Sequence, residues 1–343
     1  MTNLIILTKN TMRPFLISLC AVLSLMFSAN GFATTFKIAT LSPDGSFWMA
    51  SMKGAAKKIA EQTDNRVKFR FYPGGVMGSD RSVLKKIRIG QLQGAAFPGG
   101  ALATKAPNTQ VYNIPLLFRS YDEVDFVREQ MDAEVEDGFS KAGFVNFGLA
   151  EGGFGYIMSK KQIVAANDLK KNKVWVPSDD PASQSATVSF GVAPVVLTIG
   201  DVLTGLQTGL IDTVAASPIA AIALQWHTQV EYMLDLPIIY IYALLAIDEK
   251  AFSKISDEDQ AIVNTVMREA FTKMDAQNRK DNQNAFAALE NQGIKMVSPD
   301  TEQLKVWKEK GVVAAQSFSK QGKIDPEVVN KVQSLLTDYR ATH

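Results

Sequence analysis

Few residues in this chain have the type and spacing for covalent or metal chemistry. Its only cysteine is Cys20, and its two histidines are His227 and His343. That is too thin a set for a histidine metal site or a Ser-His-Asp triad. The adjacent carboxylates Asp179 and Asp180 have the type for an acid/base pair or for metal ligation. The plainer reading is punctuation, with Asp180 as an N-cap and Pro181 at the first helical position. Gly74-Gly75-Val76-Met77-Gly78-Ser79 has the glycines of a phosphate loop but not its lysine, and reads as a turn feeding a helix. Gly152-Gly153-Phe154-Gly155 is followed by strand residues rather than a helix, against a dinucleotide fingerprint. No catalytic constellation emerges, and neither a cofactor nor a metal is expected.

The aromatic residues are more informative. Phe47, Trp48, Phe97, Phe154, Tyr156, Trp175, Trp226, Tyr240 and Tyr242 fall at predicted strand ends and helix starts. In a two-lobed α/β protein a ligand sits at the carboxyl ends of strands, between the lobes. Any one of these rings alone reads as core packing; several facing a single cleft would not. Gln225-Trp226-His227 either lines a site or packs an indole beside a surface imidazole.

The elements that must position these residues alternate. Phe36–Thr40 reads as a strand, and Ser42-Pro43-Asp44-Gly45-Ser46 as a turn. A helix from Phe47 follows, with Met49, Met52, Ala56 and Ile59 inward. Val67–Phe71 alternates as a second strand, then come a helix opened by Asp80 and a strand through Ala95. This β-α-β-α-β order predicts an α/β lobe with a largely parallel sheet. A second round runs through Gly155–Met158 and Val174–Val176 to a helix capped by Thr198 and Asp201. That helix is closed by Gly209, and a strand at Ile211–Ala215 follows. Gly90 closes the Asp80 helix in the same way, 119 positions earlier. Asn113-Ile114-Pro115-Leu116-Leu117 and Asp235-Leu236-Pro237-Ile238-Ile239 form a second echo 122 positions apart. Two echoes at nearly one offset predict two lobes built alike. Ser256 with Asp259 caps a long helix through Val263, Val266, Met267, Ala270 and Met274 that ends before Gly293. Ser298-Pro299 and Asp325-Pro326 read as further helix starts.

At the N-terminus Lys9 and Arg13 precede an apolar run from Phe15 to Phe27, and Gly31-Phe32-Ala33 places small residues at −3 and −1. That is the pattern of a secretory signal cleaved after Ala33. The run is short of the ~20 residues a membrane span needs, and Leu19 before Cys20 argues against a lipoprotein anchor. A mature, soluble periplasmic chain starting near Thr34 is expected. Removing Lys9 and Arg13 takes the 36 basic residues to 34, against 35 acidic ones. Near-neutral charge gives no support to nucleic-acid or polybasic membrane partners. Roughly 310 residues suit two lobes better than one core.

The mature chain resembles the solute-binding receptors of tripartite ATP-independent periplasmic (TRAP) transporters, the C4-dicarboxylate and sialic acid receptor family. The resemblance is carried by Tyr72-Pro73-Gly74-Gly75 with Met77-Gly78-Ser79-Asp80, by Ile114–Arg119, by Asp168-Leu169-Lys170-Lys171-Asn172-Lys173-Val174, and above all by Leu206-Gln207-Thr208-Gly209-Leu210-Ile211-Asp212. It implies two similar α/β lobes of the type II periplasmic binding protein kind, with a ligand cleft between them and a long hinge-spanning helix. The expected division is residues 1–33 as signal, 34–152 plus about 241–280 as lobe I, and 153–240 plus about 281–343 as lobe II. The hinge is expected near 152–155 and 240–245.

The resemblance also implies that the chain is not an enzyme. It would deliver one solute to the small and large membrane subunits of a permease. In the family an arginine on the strand after Asp-Leu-Lys pairs bidentately with the substrate carboxylate; here that position is Trp175. The place of a second arginine, in the sialic acid receptors, falls near Gly155, and a further polar contact falls to Ser217. The expected ligand-binding set is therefore Phe47, Trp48, Phe97, Phe154, Tyr156, Trp175, Ser217 and Trp226. A small organic solute is expected, whether carboxylate, aromatic or a cation held over ring faces. Two other roles stay open at this stage: ligand sensing for a signalling partner, and a periplasmic enzyme using Asp179, Asp180 or Glu151.

Overall fold

The computed structural model describes residues 33–320 and 323–343, so the signal-sequence reading lies outside the described residues. Strand β1 (Thr34–Ala39) buries Phe36 and Ile38 completely. It pairs in parallel with β2 (Val67–Tyr72) and β3 (Gly94–Pro98). Helix α1 (Phe47–Gln62) starts where the Ser46 hydroxyl accepts from the Met49 amide, and packs Met49, Met52, Ala55 and Ile59 inward. Helix α2 (Asp80–Arg88), capped by Ser79, leads into β3. Helix α3 (Tyr121–Lys141) is followed by the short β4 (Phe144–Val145) and then by β5 (Ala150–Ser159).

The second lobe repeats this order. β6 (Trp175–Pro177) leads into α4 (Pro181–Ser189), and β7 (Val195–Leu197) pairs in parallel with β6. Helix α5 (Val202–Thr208) then leads into β8 (Thr213–Ala216), and a Val174–Thr213 bridge ties β6 to β8. The spatial orders β2-β1-β3 and β7-β6-β8 correspond, as the two sequence echoes predict. Gly90 and Gly209 both close their helices with positive φ, at 75° and 72°. The second lobe is completed by α6 (Pro218–Ala223), β9 (Tyr232–Leu234) and β11 (Lys295–Val297), β11 lying parallel to β9.

Two ten-residue strands join the lobes. β5 and β10 (Ile239–Asp248) run antiparallel to each other. The later half of β10 pairs β3 in the first lobe, while the end of β5 pairs β8 and β9 in the second. Their register slips between Ile241 and Tyr242, leaving Gly152 as the extra residue of a bulge. After a four-residue α7 (Glu249–Phe252), α8 (Asp257–Asn291) runs 35 residues, ~52 Å at 1.5 Å per residue. Its Val263, Val266, Met267 and Phe271 join the core of the first lobe and its Leu289 that of the second.

Polar contacts bind α8 to the bulge. Asn278 donates to the Glu151 carbonyl at 2.6 Å and Asn282 to that of Gly152 at 3.2 Å. The buried Glu151 carboxylate accepts from Arg279 at 2.8 and 2.9 Å and from the Tyr240 hydroxyl at 3.1 Å. Gly153 holds φ +85°, and a Cβ there would lie 2.5 Å from the Asn282 amide nitrogen, so both backbone and space demand glycine.

Three local expectations are corrected. Thr198 donates to the Asp201 carboxylate at 2.6 Å instead of capping backbone, because a 3-10 turn (Ile199–Asp201) precedes α5. Helix α9 (Thr301–Lys320) is opened not by Ser298 but by Asp300 and Gln303, each side chain accepting from the other's amide. Helix α10 (Pro326–Thr342) rests on α3 of the first lobe, although the expected division put everything after about 281 with the second. Val328, Val329, Val332 and Leu336 pack into the cluster of Val124, Val127 and Met131, and Arg340 pairs Glu123 at 2.7 Å.

Candidate functional site

The carboxyl ends of the parallel strands in both lobes face one cleft. Thr40 to Trp48 after β1, and Phe97 to Ala101 at the end of β3, form one wall. β6, the start of α4, and Thr213 to Ser217 form the other, and β5 with β10 close the base. The cavity between the lobes measures about 680 Å³, room for a small organic molecule. The lobes meet along one edge, where the Arg81 amide donates to Asp179 Oδ2 at 3.3 Å. Gly100 lies so close to Asp180 that a Cβ would fall 2.7 Å from its carboxyl carbon.

Six of the eight residues expected from sequence line this cavity: Phe47, Trp48, Phe97, Trp175, Ser217 and Trp226. Phe47 is 42% exposed, whereas Phe97 is almost wholly buried. Trp175 turns its ring edge-on to Trp226, centroids 5.1 Å apart at 74°, and its indole N–H donates to the Leu197 carbonyl at 3.1 Å. Trp175 is thus both cleft wall and lobe core. Ser217 precedes α6; its carbonyl accepts from the Ala221 amide at 2.9 Å, while its hydroxyl makes no capping hydrogen bond.

Phe154 and Tyr156 do not line the cavity. Phe154 packs against Tyr121 and Tyr240, with centroids 4.9 and 5.8 Å away, and Tyr156 stands edge-on to Phe286 at 5.3 Å. On β5 the side chains alternate, and it is Ile157 that reaches the cleft. Gly155 leaves no room for a long side chain, since its Cβ would lie 2.8 Å from Ile239 and 3.0 Å from Ile241. Two isoleucines fill that part of the base.

The charged lining is one-sided. Asp80, Glu151, Asp179, Asp180 and Asp281 contribute to it; among the described residues no lysine, arginine or histidine does. Glu151 is held by Arg279 and Tyr240 as above. Asp180 caps α4, its carboxylate accepting from the Ser183 amide at 3.0 Å and hydroxyl at 2.6 Å, and burial still pushes its pKa up. Asp281 accepts from Gln277 at 2.7 Å.

Asp80 is different: it is only 9% exposed, and its carboxylate makes no hydrogen bond or ion pair among the described residues. Burial, then the nearby charge of Asp179, pushes it from 3.8 up to about 7. Asn113, 8% exposed, donates to the Tyr240 carbonyl at 2.9 Å and leaves its own Oδ1 without a partner. Sequence reasoning missed both residues as site members. No group of three or more His, Cys, Asp or Glu among the described residues could hold a metal ion.

A family model described as bacterial extracellular solute-binding protein, family 7, matches residues 38–321. An uncharacterized protein, YiiZ, of Salmonella typhimurium is 24% identical over 217 residues, 62% of this chain and 65% of that protein. The sialic acid-binding periplasmic protein SiaP of Vibrio cholerae is 22% identical over 289 residues, 82% of this chain and 88% of that one. Among solved structures, a TRAP periplasmic solute-binding protein of Haemophilus influenzae with bound L-gulonate superposes with a TM-score of 0.81 at 21% identity. It covers 88% of this chain and 99% of that one.

Proposed function

Since the chain belongs to the family 7 bacterial extracellular solute-binding proteins, we propose that it captures one small organic solute between its lobes in the periplasm and delivers it to the membrane subunits of a TRAP-type transporter. The observation that carries this is the 680 Å³ cleft, walled by corresponding strand ends of two similar lobes and based on two crossing strands. A solute there adds contacts to both walls only when the lobes are closed, so binding favours closure. The Gly152–Gly153 bulge and the facing stretch of β10 form the hinge. Trp175, Trp226, Phe47, Trp48, Phe97 and Ser217 are the solute-contacting residues we assign. Glu151 and Asp180, carboxylates of the type an enzyme uses for acid/base work, already hold structural partners. Among the described residues no helix is long and apolar enough to cross a membrane.

Fractionated cell metabolites added to the purified protein test the proposal. One fraction should raise its melting temperature and compact it in small-angle scattering. Stabilisation without compaction would refute closure, and chemical turnover of the bound compound would refute a purely receptive role.

A further inference from the structure

We propose that the solute is a protonated amine with an apolar or aromatic body, its ammonium held by Asp80 and Asp179 from opposite lobes. This rests on the receptor reading above and narrows it. Three observations carry it. The cavity has five carboxylates in its lining and no cationic side chain among the described residues. Of those carboxylates, Asp80 is nine-tenths buried yet has no protein donor. A second buried acceptor, Asn113 Oδ1, is likewise unpartnered beside β10.

Buried polar groups in folded proteins are hydrogen-bonded with few exceptions, so a largely buried carboxylate on the cleft wall with no protein donor suits a ligand that donates. A bound carboxylate would bring more acceptors and a like charge against Asp80. A neutral hydroxyl compound could donate but would leave the charge unmatched. An ammonium supplies up to three N–H donors and the missing charge together. Trp175 and Trp226 line the cavity and Ile239 and Ile241 occupy the space beside Gly155. These rings and aliphatics fit the apolar remainder of an amine. The indole faces of Trp175 and Trp226 add cation–π attraction where the ammonium passes near them.

Asp179 lies across the cleft from Asp80: it accepts from the backbone amide of Arg81, the next residue along α2. An ammonium between the two would tie the lobes together.

The test uses probes matched in skeleton. 2-Phenylethylamine, 2-phenylethanol and phenylacetate form one set, and 1,4-diaminobutane with succinate a second. Each is titrated by calorimetry into the full mature protein. Alongside, cation-exchange, anion-exchange and neutral fractions of a cell metabolite extract are screened by thermal shift. The expected result is a shift with the cation-exchange fraction, and among the probes tighter binding of amines than of their acids. In Asp80→Asn that binding should weaken on the order of a hundredfold, with Asp179→Asn as a second, independent variant. Cation binding that neither variant weakens would overturn the assignment. A shift with the anion or neutral fraction alone would overturn it too, leaving the receptor reading standing; no shift with any fraction would overturn both.

Discussion

Replacing Asp80 by asparagine should make the solute-free protein more stable at pH 8, although it removes a charge from the first turn of a helix. A carboxyl pushed from 3.8 up to about 7 has its ionised form disfavoured in the folded state by about 4 kcal/mol, at ~1.36 kcal/mol per tenfold. The opposing effect is the interaction of that negative charge with the α2 N-terminus, ~0.3–1 kcal/mol. Burial wins, and roughly 3 kcal/mol remains in favour of the amide. The pH dependence has a definite sign. The folded-state pKa lies above the unfolded one, so the contribution is complete below pH 3.8 and is lost as pH rises toward about 7. Wild-type protein should therefore lose about 2–3 kcal/mol between pH 5 and pH 8 from this residue, and Asp80→Asn should not. Asp132 and Asp275 are also raised by burial and Glu123 is lowered, so the quantity to compare is the change with pH in the two proteins. Guanidinium unfolding at both pH values measures it. Equal pH slopes, or an asparagine variant less stable at pH 8, would show that water or an unrecognised partner already satisfies Asp80.

Three further substitutions probe the cleft and the hinge. Trp175→Ala should weaken solute binding roughly tenfold to hundredfold, by analogy with aromatic stacking on bases. The ring is only 6% exposed and packs on Trp226, so it should also destabilise by ~3–5 kcal/mol; unchanged affinity in the folded variant, by calorimetry, would remove Trp175 from the site. Gly153→Ala forces a Cβ to 2.5 Å from the Asn282 side chain at φ +85°, and scanning calorimetry should find it destabilised by ~1–3 kcal/mol. Arg279→Leu leaves the buried Glu151 carboxylate without its cation and should cost about 3–5 kcal/mol in denaturant unfolding; a loss below 1 kcal/mol would mean Tyr240 alone suffices.

The duplicated α/β lobes were legible because their signals are local. Glycines ending two helices, serine caps and short apolar strands each declare themselves within a few residues. What the sequence hid depends on distant chain. Phe154 and Tyr156 were misplaced because an aromatic's position near a strand end does not say which face of the strand it takes; the face that carries Ile157 is the one toward the cleft, as pairing with distant β10 and β8 orients β5. Asp80 reads as an ordinary acid in a helix's first turn; only the approach of Asp179 from the other lobe, and the walls around both, make it a buried unpaired charge. The destination of α10 was hidden for the same reason. Its apolar face is plain in the sequence, but the α3 surface that covers it lies some two hundred residues earlier.

Splitting the anionic handle between lobes has a consequence for closure that pH can expose. The charge of Asp179 is, after burial, the second cause that raises Asp80, so the two carboxylates repel when both are ionised, which lowers the closed fraction of the solute-free protein. An ammonium between them turns the repulsion into attraction for both, so the receptor closes on cargo and resists closing empty. A proton on Asp80 can partly substitute for the cargo. Asp179 is the charged group that acts on Asp80 across the cleft; on α2 itself the Lys86 ammonium is tied to the Met77 carbonyl at 2.6 Å. With Asp80 ionising near 7, the solute-free protein should close more readily at pH 5.5 than at pH 8. Over the same fall in pH, affinity for an amine should weaken, because the proton competes for the carboxylate. A pair of labels on the two lobes, placed by introducing cysteines into residues 34–343, which contain none, would report the distance directly. Asp80→Asn should abolish the pH response. A lobe distance independent of pH in the wild type, or one that still shifts in the asparagine variant, would mean that closure is governed elsewhere than at the Asp80–Asp179 pair.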